Sequence, residues 1–487
     1  MSSSLSAANV EQLTARGITV DEAERQLALL KEGTSPVTLV RAARSGDGIV
    51  GLSDEQLEIL QDTGIVAAAS GRVTKFVPAS GAATRMFEDL ASLNSELPDE
   101  RALAALRRLA AAREVLPFAV PEDPAAARTL FYGEGGLARL PKGLVPFHRY
   151  PGGSRTAIEE HLVEAALFAR DETGRVAIHF TIAPSAREDL DRLLALQQPR
   201  LEGWLGCRFA VSVSYQDPST DTLASDAGGL PLQRGGALVF RPGGHGALIR
   251  NLQQTNADLA LIRNIDNVVI ERDMPTVVRW HLVLLGFLVQ LQTRAHDLLA
   301  ILDGNPEERC VRDAERFLRM TLGRPTNDGP LDARHARCIE SLDRPWRVCG
   351  MVPNDGEPGG GPFWIESPEG PTLQIIESAQ ISPDEAQKRT WSTATHFNPV
   401  HLACGLKDWR GRSFDLDRFA DQGQSFVAGK QLDGKPVRVL ERPGLWNGSM
   451  AGWNTVFVEV PAATFAPVKS VFDLLRPTHL TLGTEAA

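Results

Sequence analysis

The chain has 487 residues, 43% of them hydrophobic, and a formal net charge of −10 at pH 7. A chain of this length buries a large core and divides into two or three structural units. Its excess of acid opposes a nucleic-acid backbone, which argues against a nucleic-acid partner while leaving room for a local basic cluster that holds a small polyphosphate. The start, Met1-Ser2-Ser3-Ser4-Leu5-Ser6, has no basic segment leading into an apolar core, so no secretory signal and a cytoplasmic protein are expected. The five cysteines, Cys207, Cys310, Cys338, Cys349 and Cys404, form no C-x-x-C pair and read as buried thiols.

In chain order, residues 1–70 read as a helical N-terminal extension, with Asp21 able to cap the first turn of the helical run Val20 to Leu30. Val73 to Val77 is a β-branched and aromatic run that stops at Pro78 and a loop of small residues, after which Met86 to Leu90 resumes a helical pattern. Residues 97–129 read as helices, a second Pro- and Gly-punctuated loop surrounds Lys142, and a helix is expected from Thr156 to Arg170. Val176 to Ile182, Phe209 to Tyr215 and Leu259 to Ile265 read as strands, the last stopping at Asp266-Asn267. Strands alternating with helices predict an open, mainly parallel sheet whose ligands lie beyond the carboxyl ends of the strands.

Residues 275–343 are helical in pattern. They include the apolar run Leu282 to Thr293, which is shorter than the roughly 20 residues that span a bilayer and is expected as a core helix, with no membrane partner. A Gly/Pro-rich break over Pro353 to Gly361 opens an α+β part with a hairpin, Phe363 to Glu366 and Leu373 to Ser378, and a later strand, Val456 to Val460. The expected division is 1–70, a core over 71–345 with a helical insertion at 275–343, and a C-terminal part over 346–487.

Several segments carry residue types suited to phosphate chemistry. Ala79, Ser80, Gly81, Ala82 and Ala83 let a ligand approach the backbone, amides at the start of the next helix can donate to phosphate oxygens, and Arg85 adds charge. An ordinary strand-helix turn has the same composition. Lys142 lies between Pro141 and Pro146, in a restrained loop that can aim an ammonium at a polyphosphate, or is a plain surface lysine. Pro242-Gly243-Gly244-His245-Gly246 sets glycines around a histidine, so that a flat ligand such as a base can lie against backbone; a loop turn is the alternative. Asp266 follows an apolar strand, where one carboxylate together with substrate phosphates can hold magnesium, or where the residue is only a cap or turn former. His396, Asn398, Trp446 and Asn447 offer groups to sugar hydroxyls, Lys469 is a second phosphate lysine, and His148, His161 and His179 read as structural.

Taken in order, Pro242 to Gly246, Asn264-Ile265-Asp266-Asn267, Leu373 to Ile381 and Phe465 to Leu475 resemble segments of the UDP-sugar pyrophosphorylases, in particular the eukaryotic-type UDP-glucose pyrophosphorylase, over roughly residues 71–482. The chain also resembles a bacterial family of unknown function within this group that carries the same Pro-Lys, Asn-Ile-Asp-Asn and Pro-Gly-Leu-Trp-Asn segments. The resemblance implies an α/β, Rossmann-like (GT-A-like) nucleotidyltransferase fold with a mixed, mainly parallel sheet flanked by helices. It implies a nucleoside triphosphate near Ala79, Gly81, Ala82, Lys142, Gln216, Gly243 and His245, magnesium at Asp266, and sugar phosphate near Asn267, Glu377, His396 and Asn398. The first loop departs from the family pattern, with Ala82 and Ala83 where glycines are common. The implied reaction is attack by a sugar-1-phosphate oxygen on the α-phosphorus, with Lys142, Arg85 and Lys469 as the catalytic cations. The rival readings are a catalytically silent nucleotide-sugar binder and a nicotinamide-dependent oxidoreductase, the latter opposed by the missing G-x-G-x-x-G.

Overall fold

Val73–Pro78 forms a strand whose Val73, Phe76 and Val77 are buried. It runs parallel to Arg175–Ile182, which runs parallel to Arg208–Tyr215. A computed structural model describes every residue except 1–4, 35, 96, 227, 305–306, 326–327, 355, 357–359, 369, 433–434 and 482–487. The first four residues read for a secretory signal and part of the Gly/Pro-rich break (355 and 357–359) therefore lie outside the described residues.

The chain divides into two compact units: Met1–Leu57, Gln216–Ala260 and Phe287–Glu459 in the first, and Glu58–Tyr215, Leu261–Gly286 and Val460–Ala487 in the second. In the second unit the three parallel strands are joined on the Val73–Pro78 side by the end of the strand Leu259–Ile262. Arg263 N donates to Phe76 O at 3.1 Å and Ile265 N to Pro78 O at 3.3 Å, so the chain after that strand stays beside the end of Val73–Pro78. The strand read as Leu259 to Ile265 thus ends at Ile262.

The helix Ala157–Phe168 starts at a capping box: Thr156 Oγ1 accepts from Glu159 N at 3.3 Å, and Thr156 N donates to Glu159 Oε2 at 2.8 Å. Almost every residue of this helix is buried, charged ones included. The helices Asp54–Ala69 and Met274–Gly304 cross at two glycines: a Cβ on Gly64 would lie 2.1 Å from Leu282 O, and one on Gly286 would lie 1.8 Å from Leu60 O. Backbone thus meets backbone where any side chain would hold the helices apart.

In the first unit, Arg44–Ser45, Gly48–Val50, Asn454–Glu459 and Trp346–Pro353 pair in that order in parallel, and Leu402–Gly405 and His396–Phe397 add antiparallel to Trp346–Pro353. Leu39–Ala42, Gly361–Ile365 and Thr372–Ile376 form a separate antiparallel sheet that contains the expected hairpin. Phe240–Arg241, Thr222–Ser225, Lys435–Glu441 and Phe426–Leu432 form another. The protein is mixed α/β, with mainly parallel pairing in its central strands.

Four local readings change. The first seventy residues hold short strands as well as helices, because Leu39 and Ala42 bury against Phe363, Ile365 and Ile376. The cap of Val20–Glu32 is Thr19, whose side chain accepts from Glu22 N, and not Asp21. Ala83–Asn94 is a run of 3₁₀ turns, interrupted at Phe87, in place of an α-helix. The apolar run Leu282 to Thr293 belongs to a helix of 31 residues, Met274–Gly304, the one helix among the described residues long and apolar enough to cross a membrane. Its most apolar window is 56% buried within the protein. Of the cysteines, Cys338, Cys349 and Cys404 are buried, while Cys207 and Cys310 are half-buried.

Candidate functional site

The loop after Val73–Pro78 is clipped at both ends. Ala79 N donates to Thr181 O at 2.8 Å, Lys142 N donates to Gly81 O at 3.0 Å, and Ala83 N donates to Leu140 O at 3.0 Å. These bonds tie the small-residue loop to the Pro-Lys loop. They also occupy the Ala83 amide, the first of the turns that follow, and leave the stretch Ser80, Gly81 and Ala82 exposed. A Cβ on Gly81 would meet nothing within 4 Å. Arg85 is exposed and makes no hydrogen bond or ion pair to a described residue. Gly143 seats the Lys142 turn, since a Cβ there would lie 3.0 Å from Ile158 and 3.2 Å from Ile265.

Asp266 gathers two lysines from distant parts of the sequence. Lys142 Nζ donates to Asp266 Oδ2 at 2.9 Å, and Lys469 Nζ donates to the same oxygen at 3.3 Å. The Asp266 and Lys142 side chains are 12% and 14% exposed, whereas Lys469 is 63% exposed. Burial alone would raise the Asp266 pKa, but the two ammonium groups outweigh it and hold the carboxyl below the usual range. Oδ1 makes no hydrogen bond to a described residue. Backbone pairing sets the arrangement: Val468 N donates to Asp266 O at 2.9 Å, and Asn267 bridges to Pro467. Lys469 N and Ser470 N both donate to Asp473 Oδ2, at 2.8 and 2.7 Å. A cluster with one negative and two positive charges has a net positive charge, as an anion site requires.

Asn267, expected on the sugar-phosphate side, is 1% exposed. Its Oδ1 accepts from Ala466 N at 3.0 Å and from Arg263 Nη2 at 3.3 Å, so it braces the site from within.

Beneath this cluster lie charges that motif reading missed. Glu164, Lys75 and Arg263 have fully buried side chains; Lys75 Nζ is 2.7 Å from Glu164 Oε1, and Arg263 Nε is 3.5 Å from Glu164 Oε2. Burial pushes Lys75 down to about 8 despite Glu164. Burial opposes ionisation of Glu164, yet Arg263 and Lys75 bring its pKa down to about 2. The signal was a charged residue inside an otherwise apolar strand or helix, as in Val73-Thr74-Lys75-Phe76-Val77 and Leu261-Ile262-Arg263. His148, His161 and His179 are structural as read: His148 Nδ1 is 2.9 Å from Glu160 Oε1, His161 Nε2 is 3.2 Å from Ile265 O, and His179 lies between Ser212 and Ser214 at 2.8 Å each.

In the first unit the Gly243 to Gly246 segment meets Pro443 to Asn447. A Cβ on Gly246 would lie 2.0 Å from Pro443 O, and one on Gly243 would lie 2.4 Å from Thr220 O. The His245 ring stacks on Trp446 at 4.5 Å, and His245 Nδ1 accepts from Leu445 N at 3.1 Å. Although 31% of the side chain is accessible, the surrounding protein desolvates the ring and pushes its pKa down to about 4. The imidazole is therefore neutral at pH 7 with its proton on Nε2, 3.7 Å from Glu377 Oε1. Burial, helped by Glu441, raises the Glu377 pKa.

The other expected residues of this unit are held by neighbouring groups or keep unused polar atoms. His396 is held by Thr395 Oγ1 at 2.9 Å and Glu459 Oε2 at 3.3 Å. Gln216 Nε2, Asn398 Nδ2 and Asn447 Oδ1 are buried and have no hydrogen-bond partner among the described residues. Buried polar atoms of this kind are exceptions that call for a ligand, a water or an ion.

A family model, the domain of unknown function DUF4301, matches residues 6–115 and 127–480. No curated protein matches the chain. Among solved structures, the chain is similar to the UDP-N-acetylglucosamine pyrophosphorylase of Trypanosoma brucei in complex with an inhibitor, at 14% identity over 96% of this chain and 76% of that one, with a TM-score of 0.49. A mutant UDP-glucose pyrophosphorylase of Leishmania major is similar at 14% identity over 97% and 79%, with a TM-score of 0.48.

Proposed function

The chain belongs to the DUF4301 family, and we propose that it is a nucleotidyltransferase: it joins the nucleoside monophosphate of a triphosphate, UTP foremost, to a sugar 1-phosphate or similar phosphate acceptor and releases pyrophosphate. The observation that carries this reading is the convergence of Lys142 and Lys469 on Asp266. The motifs that resemble the pyrophosphorylases contain Asp266 and Lys469, and the Pro-Lys segment contains Lys142.

In the reaction an acceptor phosphate oxygen bonds to the α-phosphorus as the bond from that phosphorus to the β-phosphate bridging oxygen breaks, and pyrophosphate leaves. No protein nucleophile is needed. Both reactants are anions, so the protein must hold them together and screen them. Lys142 and Lys469 approach from separate segments and can each bind a phosphate oxygen on giving up Asp266. Arg85, unengaged and exposed, adds charge beside the loop at Gly81. The stacked His245–Trp446 pair offers a flat apolar surface with a neutral Nε2–H, which suits a base or a sugar ring. Within the first unit, Gln216 Nε2 and Asn398 Nδ2 are buried without a partner among the described residues, which suits a bound polar ligand there.

Asp266 fits magnesium as a single protein ligand, because Oδ1 is unengaged and this ion is commonly held by one or two carboxylates with substrate phosphates and water. No group of three or more His, Cys, Asp or Glu side chains among the described residues forms an all-protein cage. Magnesium bound there supplies charge neutralisation at the phosphates. The direct test incubates the protein with magnesium, each common nucleoside triphosphate and a panel of sugar 1-phosphates, and reads pyrophosphate. Release with one pair supports the proposal, and stabilisation by a nucleotide sugar without release with any pair would leave a binding protein.

A further inference from the structure

The two segments that deliver Asp266 and Lys469 are held by one buried guanidinium. Arg263 Nε donates to Asn267 O at 2.6 Å, and Nη2 donates to Asn267 Oδ1 and to Thr464 O at 3.3 Å each. Nη1 lies 3.1 Å from His281 Nε2. Asn267 follows Asp266, and Thr464 opens the stretch that reaches Lys469 through Ala466 N, itself bonded to Asn267 Oδ1 at 3.0 Å. Arg263 thus touches both segments and neither lysine.

The counter-charge is fixed as well. Glu164 is 3.5 Å from Arg263 and 2.7 Å from Lys75, and its Oε1 is 3.7 Å from His281 Nδ1. Lys75 Nζ in turn donates to His161 O at 2.9 Å, and His161 Nε2 lies 3.2 Å from Ile265 O, the residue before Asp266. Two cations and one anion at zero exposure make an expensive core, since replacing such groups by apolar residues is often neutral or stabilising. A planar fork that bonds two carbonyls at once is something an apolar residue cannot supply, and neither can lysine.

We propose that Arg263 is a positioning residue that fixes Asp266 and Lys469 in register with each other, with Glu164 as the anion that keeps its guanidinium in place. The inference rests on the functional reading above in placing reacting phosphates at that cluster. Misplacement of reacting groups by about 1 Å costs on the order of 100-fold in rate. Arg263→Lys keeps the charge and loses the fork.

The test pairs activity with hydrogen exchange on the full chain. Arg263→Lys is expected to melt cooperatively, to lose roughly 10- to 100-fold in kcat with KM changed far less, and to exchange faster at 264–269 and 464–470 than elsewhere in its unit. Partial recovery of both readouts by millimolar ethylguanidine with Arg263→Ala would support the same conclusion. If Arg263→Lys does not fold, Asn267→Ala removes the shared Oδ1 acceptor and must raise exchange in the same two segments. Unchanged exchange there in a folded variant, or a uniform rise across the unit, overturns the positioning role. Local exchange changes in a protein that never releases pyrophosphate would overturn the enzymatic reading and leave the positioning role standing.

Discussion

Lys142 Nζ lies 2.9 Å from Asp266 Oδ2 in a contact whose side chains are 14% and 12% exposed, while Lys469, 3.3 Å from the same oxygen, is 63% exposed. The difference in exposure predicts a difference in effect. A charge pair at 4 Å is worth about 4 kcal/mol at an effective dielectric of 20, and an exposed pair at most about 1 kcal/mol. Lys142→Met should therefore weaken triphosphate binding by up to roughly 1,000-fold and Lys469→Met by less than about tenfold. Calorimetric titration of UTP with magnesium checks the order, and equal losses would show that exposure does not set it.

Glu164→Gln should be strongly destabilising. It leaves Lys75 and Arg263 buried without their anion, and loss of one partner of a buried pair costs about 3–5 kcal/mol. Denaturant unfolding measures it, and a change under about 1 kcal/mol would mean that the interior is not dry.

Stability should fall as the solution is acidified below about pH 6.5. Burial depresses His161, His179, His245, His281 and His479, so the unfolded chain takes up protons first and the penalty grows until each folded pKa is reached, about 4 for His179 and His245. Each such histidine contributes a slope of about 1.4 kcal/mol per pH unit. Asp266 acts in the same direction lower down: its pKa is depressed, so its contribution is complete above about pH 4 and is lost as pH falls through the folded value. Thermal melts from pH 7.5 to pH 4.5 should show a steep decline, and a flat profile would contradict the desolvation of these rings.

Two glycines separate packing from site chemistry. Gly286→Ala would push a Cβ to 1.8 Å from Leu60 O, and overpacking of this kind costs about 1–3 kcal/mol. Gly81→Ala meets nothing within 4 Å and should leave stability within about 0.5 kcal/mol. Melting temperatures of the two variants decide the point.

The strands from Val73, Val176 and Phe209 were legible because β-branched and apolar runs ended at turn residues, and Lys142, Asp266 and Lys469 stood out as candidates because each sits in a loop of distinctive composition. The joining of these three on one carboxylate oxygen was not legible, since the contacts span 124 and 203 residues of chain. Arg263, Glu164 and Lys75 escaped for a related reason: local patterning places a charged residue in an apolar element but does not say which opposite charge meets it. The start of the helix at Val20 was misassigned by two residues because Asp21 and Thr19 are both good capping types, and only backbone geometry selects Thr19.

The proposed reaction places nucleotidyl transfer at the Asp266 cluster. Its most direct measurement is pyrophosphate release by the wild-type protein and by Asp266→Ala, side by side, with magnesium and the triphosphate and sugar 1-phosphate pair that the screen selects. Release by the wild type, suppression by a chelator, and a loss of at least about 100-fold in a variant that still melts cooperatively are expected. Comparable release by a folded Asp266→Ala protein would contradict that placement.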